Sequence, residues 1–123
     1  MRNYKDNLVV KLTFEFALSI VEFADELQSK RKYVIADQVM RSGCSIGALV
    51  RESQNAESRA DFIHKLKIAA KEAEETEFWL EVCQHSKNYP KPGKLLADVE
   101  SVIKVIAKII SSTKKSKIGT STN

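Results

Sequence analysis

Hydrophobic residues recur at spacings of three and four in four separate stretches of the chain, which is the period of an amphipathic helix. The first predicted helix runs from about Asp6 to Gln28 and carries two adjacent apolar stripes, so its apolar face is wide. The second runs from about Tyr33 to Gln54 and has small residues from Ser42 to Ala48. Two Gly inside a helix are costly, so we expect close approach of another backbone or a local bend there.

The third predicted helix has the clearest start, because Ser58 and Asp61 form a Ser-x-x-Asp capping box. A strict alternation of four and three follows from Phe62 to Cys83. A turn over residues 88–93 contains both Pro of the chain, and the fourth helix then continues to about Ser112.

The connections between these helices are short, and the 123 residues include only four Gly and two Pro. Short connections favour antiparallel neighbours. The sequence therefore predicts an all-α protein, an antiparallel up-and-down four-helix bundle over residues 1–112. Residues 113–123, rich in Ser, Thr and Lys, are predicted to be a disordered basic tail.

Each helix is apolar over more than a narrow stripe, which has two explanations. Either the core is simply well filled, or the surplus apolar surface is buried between subunits. The fourth helix has nine Leu, Val or Ile between residues 95 and 110 and is our first candidate for an oligomer contact, with the first helix second. The candidate contact residues on the fourth helix are Leu95, Val102, Val105 and Ile109.

The net charge is +4, but the tail lysines Lys114, Lys115 and Lys117 carry +3 of it, so the body carries 4 − 3 = +1. A nucleic-acid interface would therefore have to come from local clustering of cations that contact phosphates. The candidate contacts are Lys30, Arg31, Lys32, Arg51, Arg59, Lys65, Lys67 and Lys71. The alternative is that these side chains only solubilise the helix surfaces.

A second set of polar residues lies in or near the small-residue part of the second helix and on the third helix. We interpret it as a buried polar layer, whose members would all need partners. We hypothesise that Arg41 pairs with Glu72 or Glu77. The candidate layer is Arg41, Ser42, Ser45, Glu52, Glu72 and Glu77.

Signals of catalysis are weak in this sequence. The two His, His64 and His85, lack the paired motifs of a di-iron bundle, and Cys44 and Cys83 are typical of small buried thiols. We therefore predict a non-enzymatic protein with no metal, no cofactor and no small-molecule substrate. No apolar run is long enough to span a bilayer and no signal peptide is evident, so we expect a cytoplasmic protein without a membrane partner.

Two segments, residues 38–53 and 58–80, closely resemble the four-helix-bundle proteins encoded by intervening sequences in 23S ribosomal RNA genes. The chain departs from that family's pattern at Leu49, where Asn is usual, and at Ser53, where many members have Gly. The matching residues are Gln38, Arg41, Ser42, Ser45, Ile46, Ala48, Glu52, Phe62, Leu66, Ile68, Ala69, Glu72 and Glu77.

The resemblance implies an up-and-down bundle that assembles as a homopentamer. More distantly, the chain is similar to the accessory variability determinant of diversity-generating retroelements, a pentameric barrel with a basic surface that binds nucleic acid and a reverse transcriptase. Two interpretations follow. The first is a non-enzymatic pentamer that binds structured RNA or a nucleoprotein; the second is a protein-interaction scaffold with no nucleic-acid role.

Overall fold

The computed structural model describes residues 7–120, with side chains through Ser116, and contains four helices. Their bounds are α1 Leu8–Ser29, α2 Tyr33–Ser53, α3 Arg59–His85 and α4 Leu95–Thr120. Each of α1, α2 and α3 matches its predicted helix to within about two residues, and the predicted start at Asp6 lies outside the described residues. The all-α four-helix fold predicted from the sequence is confirmed.

Helix α4 extends beyond its predicted end at Ser112 and continues to Thr120. This corrects the predicted boundary at residue 112, because residues 113–120 of the predicted disordered tail are helical. The physical reason is that Lys is a good helix former, and the chain has no Pro or Gly from Lys94 to Ile118 to stop the helix. The Thr113 hydroxyl also donates to the Ile109 carbonyl at 2.7 Å, within the continuing helix. Residues 121–123 lie outside the described part of the chain.

Side-chain caps fix two of the helix starts. The Asn7 carboxamide oxygen accepts from the Val10 N–H at 3.2 Å, and its amide nitrogen donates to Gln54 at 2.7 Å, which ties the start of α1 to the end of α2. The Ser58 hydroxyl accepts from the Asp61 N–H at 3.0 Å. The Asp61 carboxylate accepts in turn from the Glu57 N–H at 3.2 Å. In the usual capping box it would accept from the N–H of the N-cap residue, here Ser58, so the predicted box is present with this bond shifted by one residue.

The four helices pack in chain order, and α4 also contacts α1, which closes the bundle. The predicted α3 stripe is buried from Leu66 to Cys83, including Thr76. Facing it are the largest fully buried side chains of the other helices. These are Val10, Ile20 and Leu27 of α1, Val39, Ile46 and Val50 of α2, and Val99, Val102 and Ile106 of α4.

The two Gly of α2 mark the close approach expected from the sequence. A Cβ at Gly43 would lie 2.8 Å from the γ carbons of Ile20, and a Cβ at Gly47 would lie 3.2 Å from the Thr13 carbonyl oxygen. The backbones of α1 and α2 can therefore approach only because these positions carry no side chain.

The predicted oligomer contact on α4 is corrected by the structure for two of its four residues. Leu95 and Val102 are buried inside the subunit, and Val105 and Ile109 are half-buried against the same core. The surplus of apolar residues on α4 is used inside the bundle, because α4 packs against both α3 and α1 and so needs a wide apolar face. Among the side chains described, residues 7–116, the large exposed apolar ones lie on the other three helices instead.

Candidate functional site

The predicted polar layer separates into a buried pair and a surface cluster. The buried pair joins α2 to α3, where the Thr76 hydroxyl lies 2.9 Å from the Ser42 hydroxyl. The Ser42 hydroxyl donates to the Gln38 carbonyl at 2.8 Å, and Thr76 lies 2.8 Å from the Glu72 carbonyl. Both hydroxyls are therefore satisfied without a charged partner, as buried polar groups require.

Arg41 lies on the surface of the same α2–α3 contact and not in a buried layer, because half of its side chain (51%) is exposed. It pairs with Glu72 at 3.2 Å, which is one of the two partners hypothesised from the sequence. Its second carboxylate partner is Glu75, not Glu77, and Gln38 accepts from it at 3.3 Å. Glu75 also accepts from the Trp79 indole at 3.1 Å, so this cluster fixes the position of Trp79.

The other three predicted members of the layer, Glu52, Ser45 and Glu77, do not join the buried pair. Glu52 is exposed, and the half-buried Ser45 hydroxyl donates within its own helix to the Ser42 carbonyl at 2.9 Å. Glu77 lies on the other side of α3, towards α4. Partial burial there, and then the nearby carboxylates of Glu81, Glu100 and Glu74, raise its pKa above the ordinary value.

The predicted nucleic-acid contacts lie at opposite ends of the bundle, so they do not form one surface. The turn from Lys30 to Lys32 follows α1, and it is a Schellman motif with Arg31 at φ 62° in the left-handed region. Its two hydrogen bonds run from the Arg31 N–H to Gln28 and from the Lys32 N–H to Leu27, both at 2.9 Å. Lys32 also lies 4.5 Å from the centroid of the Tyr89 ring. This turn therefore has a structural role.

At the other end, exposed lysines of α3 and α4 come together. Lys67 of α3 and Lys114 of α4 lie side by side across the helix contact, and the neighbouring Lys114 ammonium is the main cause that lowers the pKa of Lys67. The sequence has no Asp or Glu from Phe62 to Lys71, and none after Glu100. We call the exposed lysines of these two stretches the lysine surface, apart from Lys104, which pairs with Glu100 at 2.9 Å; its members are Lys67, Lys71, Lys108, Lys114 and Lys115.

The remaining predicted cations have local partners. Lys65 pairs with Asp61 at 3.6 Å, one turn away on α3. The Arg51 guanidinium lies 5.0 Å from the centroid of the Phe14 ring on α1, and Arg59 is exposed at the start of α3. Lys108 was not among the predicted contacts, and Lys114 and Lys115 were predicted to lie in the disordered basic tail. The absence of acids after Glu100 was the available signal for a basic face on α4.

An apolar strip runs along the outside of the α1–α2 contact. Phe14 and Leu18 are 46% and 51% exposed, and Val21 follows one turn later on the same face. Beside Phe14 is a groove of about 250 Å³ with mostly apolar walls. It is lined by Phe14, Ala17, Cys44, Gly47, Ala48 and Arg51.

Phe78 of α3 is a further large apolar side chain that the bundle does not bury, being 57% exposed. Its ring meets the Trp79 ring edge-on, with centroids 5.1 Å apart. Phe78 was not among the residues predicted from the sequence to form an interface. Its flanking acids Glu74 and Glu81 place it on the solvent side of α3, which was the available signal.

Neither thiol has the environment of a nucleophile. Burial raises the pKa of Cys83 and of Cys44, which keeps both in the less reactive thiol form. Among residues 7–120, no group of three or more His, Cys, Asp or Glu side chains is placed to hold a metal ion. Within the same range, no helix combines the length and apolar character that crossing a membrane requires.

Comparison with known proteins identifies relatives of this chain. The family model of the 23S rRNA-intervening sequence protein matches residues 5–112. A solved structure from Bacteroides thetaiotaomicron, described as a protein with unknown function from the S23 ribosomal protein family, is 41% identical with a TM-score of 0.79. That alignment covers 83% of this chain and 97% of the Bacteroides chain. No curated protein sequence matches the chain.

Proposed function

Because this chain belongs to the 23S rRNA-intervening sequence protein family, we propose that it is a non-enzymatic homo-oligomer that binds structured RNA through the lysine surface. The observation that carries the RNA-binding part is the side-by-side placement of Lys67 and Lys114, on stretches of α3 and α4 that contain no acid. Two like charges in contact gain most from an anion that neutralises both. A phosphate backbone provides such anions at regular spacing.

The proposal of a homo-oligomer is supported by the exposed apolar strip of α1, beside its contact with α2. Phe14, Leu18 and Val21 form a contiguous apolar face that a monomer would leave in water. We propose a pentamer, the assembly that the family resemblance implies. A ring of subunits would repeat the lysine surface around one axis and multiply a weak contact into a stronger one. Its place of action would be the cytoplasm, where thiols such as Cys44 stay reduced.

The RNA proposal is tested by measuring binding to a labelled hairpin of 23S ribosomal RNA across a salt series. We expect the logarithm of the binding constant to fall linearly with the logarithm of salt concentration, since bound lysines release counterions. The double variant Lys67→Ala/Lys114→Ala should weaken binding and reduce the slope by roughly 1 to 2 per subunit. The matched control is Lys30→Ala/Lys87→Ala, which removes two exposed lysines from the other end of the bundle.

Equal losses from the two double variants would show that the lysine surface has no special role and would contradict the proposal. Absence of RNA binding by the wild-type protein at low salt would favour the second function, a protein-interaction scaffold. The exposed apolar strip of α1 is the observation that favours that alternative. Light scattering on the same samples measures subunit number independently of either result.

A further inference from the structure

We propose that Phe78 of one copy inserts into the groove between α1 and α2 of a second copy, so that subunits join head to tail. This inference rests on the proposed homo-oligomer and goes further, because it names the two faces that meet. Neither face is needed for the fold of one subunit: Phe78 lies outside the core, and the groove is open to solvent.

The groove has the form of a socket for one large apolar side chain. Ala17, Gly47 and Ala48 contribute almost no side-chain volume, so a space of about 250 Å³ remains between the two helices. Phe14 forms one wall and Cys44 another. An apolar socket of this kind gains most from an aromatic anchor, because aromatic side chains carry the largest apolar area.

Phe78 is presented in the way expected of such an anchor. It projects from the middle of a long helix, and its ring rests edge-on against Trp79 at 5.1 Å. Trp79 is itself held by its hydrogen bond to Glu75, which also pairs with Arg41. A side chain supported in this way loses little conformational freedom on binding, and rigid aromatic residues dominate the energetics of protein interfaces.

The charged residue that lines the groove and the charged residues that flank Phe78 have opposite signs, which favours a second copy as the occupant. Phe78 is flanked one turn away on each side by the exposed carboxylates of Glu74 and Glu81. The groove is flanked by Arg51, whose guanidinium lies against the Phe14 ring, and by Lys11, one turn before Phe14. Inserting Phe78 brings carboxylates towards cations, and such complementarity selects partner and orientation.

Arg51, a cation, is the one charged residue among those that line the groove. The exposed acids beside the strip, Glu15 and Glu22, line pockets on the α4 side of α1. Glu52 of α2 lies one turn after Ala48, next to Arg51 in the chain. The groove and Phe78 are on different faces of the bundle. Contacts between two different faces are heterologous, and they close into rings when the rotation between subunits permits.

The test uses two variants that each destroy one face and leave the other intact. Phe78→Glu removes the anchor, and Ala48→Glu places a charge in the groove. Both positions are exposed, so both variants should fold, which circular dichroism checks. The matched control is Leu8→Glu, which puts the same charge on an exposed apolar residue away from both faces. Sedimentation velocity measures the mass of each variant alone and of an equal mixture.

We expect each face variant alone to be a monomer and the control to keep the wild-type mass. The mixture should give a heterodimer of twice the subunit mass, because the intact groove of Phe78→Glu accepts the intact Phe78 of Ala48→Glu. Growth stops at two subunits, since the remaining two faces are both damaged. In the Phe78→Glu subunit of that heterodimer, Cys44, the one partly exposed cysteine, should react more slowly with a thiol reagent than it does in the Phe78→Glu monomer.

A mixture that stays monomeric would overturn the head-to-tail contact, because the mixture still contains one intact groove and one intact Phe78 on different subunits. Wild-type mass in both variants would overturn it as well, and would leave the proposed homo-oligomer intact. A monomeric wild-type protein at the same concentration would refute the homo-oligomer and this inference together. The groove would then be left to another protein.

Discussion

Helices α1 and α4 are both rich in apolar residues, yet they use them in opposite ways. On α4, Val99, Val102 and Ile106 are fully buried, and the flanking apolar residues pack against the same core. On α1, a buried stripe through Ile20 is accompanied by Phe14 and Leu18, which are about half exposed. The count of apolar residues therefore does not identify the helix with surface to spare.

The charged residues of the two helices differ in the same direction. The exposed charges of α1 beyond Lys11 are all acidic, whereas α4 carries only lysines after Glu100. This contrast assigns the two proposed roles to different sides of the bundle. The outer side of α1 favours contact with another apolar surface, and the outer side of α4 favours a polyanion.

Truncation of one apolar residue on each helix should give the largest difference between them. Ile106→Ala should lower the free energy of unfolding by about 2–5 kcal/mol, because it leaves a cavity at a fully buried site. Leu18→Ala removes a half-exposed side chain and should cost under about 0.5 kcal/mol in the isolated subunit. Urea unfolding at several protein concentrations measures both, since subunit association adds a concentration-dependent contribution.

On dilution, the deficit of Ile106→Ala should stay constant, whereas any deficit of Leu18→Ala should shrink towards zero. A Leu18→Ala deficit as large as that of Ile106→Ala at every concentration would refute the contrast. Leu18 would then belong to the fold of the subunit and not to an outer contact.

A methyl group added against the inner face of α1 should lower the free energy of unfolding by less than Ile106→Ala does. In Gly43→Ala, the new Cβ would lie 2.8 Å from both γ carbons of Ile20, which is fully buried and cannot move away. Overpacking of this kind costs about 1–3 kcal/mol, against about 1 kcal/mol that Ala gains over Gly inside a helix. We expect a net loss of about 1 kcal/mol, measured by chemical unfolding.

The double variant Gly43→Ala/Ile20→Ala provides the control for this prediction. Ile20→Ala alone should be strongly destabilising, but it also removes the γ carbons that the new methyl group would meet. The double variant should therefore lose less stability than the sum of the losses of the two single variants. Simple additivity would show that the close approach of α1 and α2 does not depend on Gly43.

The local part of the structure could be predicted from the sequence. The spacing of apolar residues located all four helices, and the Ser58–Asp61 motif located the start of α3, because both depend on residues within a few positions of one another. The two Gly of α2 likewise indicated close packing before the partner helix was known. These signals can be recognised in the sequence because the helix period and the capping chemistry are local.

The parts that were missed depend on which residues meet across helices. Arg41 selects Glu72 and Glu75 because α2 and α3 place them on one surface, and helical spacing alone could not separate Glu75 from Glu77. Lys114 meets Lys67 only because α4 continues past Ser112. The same limit explains why Leu95 and Val102 were predicted to be outside: the width of the face that α4 buries depends on both of its neighbours.

The smallest expected effect concerns the acids at the α3–α4 contact, which unlike those of α1 do not simply face water. Partial burial and the carboxylates of Glu81, Glu100 and Glu74 raise the pKa of Glu77. The folded protein therefore binds this proton more tightly than the unfolded chain does, so ionised Glu77 destabilises the fold at neutral pH. Glu77→Gln should be more stable than wild type by about 0.2–0.5 kcal/mol at pH 7, the size of a like-charge pair on a helix.

That advantage should disappear as the pH falls through the raised pKa to below the unfolded value of about 4.3, where the wild-type side chain is neutral in both states. Urea midpoints of the two proteins at pH 7 and at acid pH measure the change. Glu22→Gln is the matched control, because it removes one exposed carboxylate from α1 without touching the α3–α4 acids. An advantage that grows at low pH would have the wrong sign, and would mean that Glu77 is stabilised by a cation and not crowded by its neighbouring carboxylates.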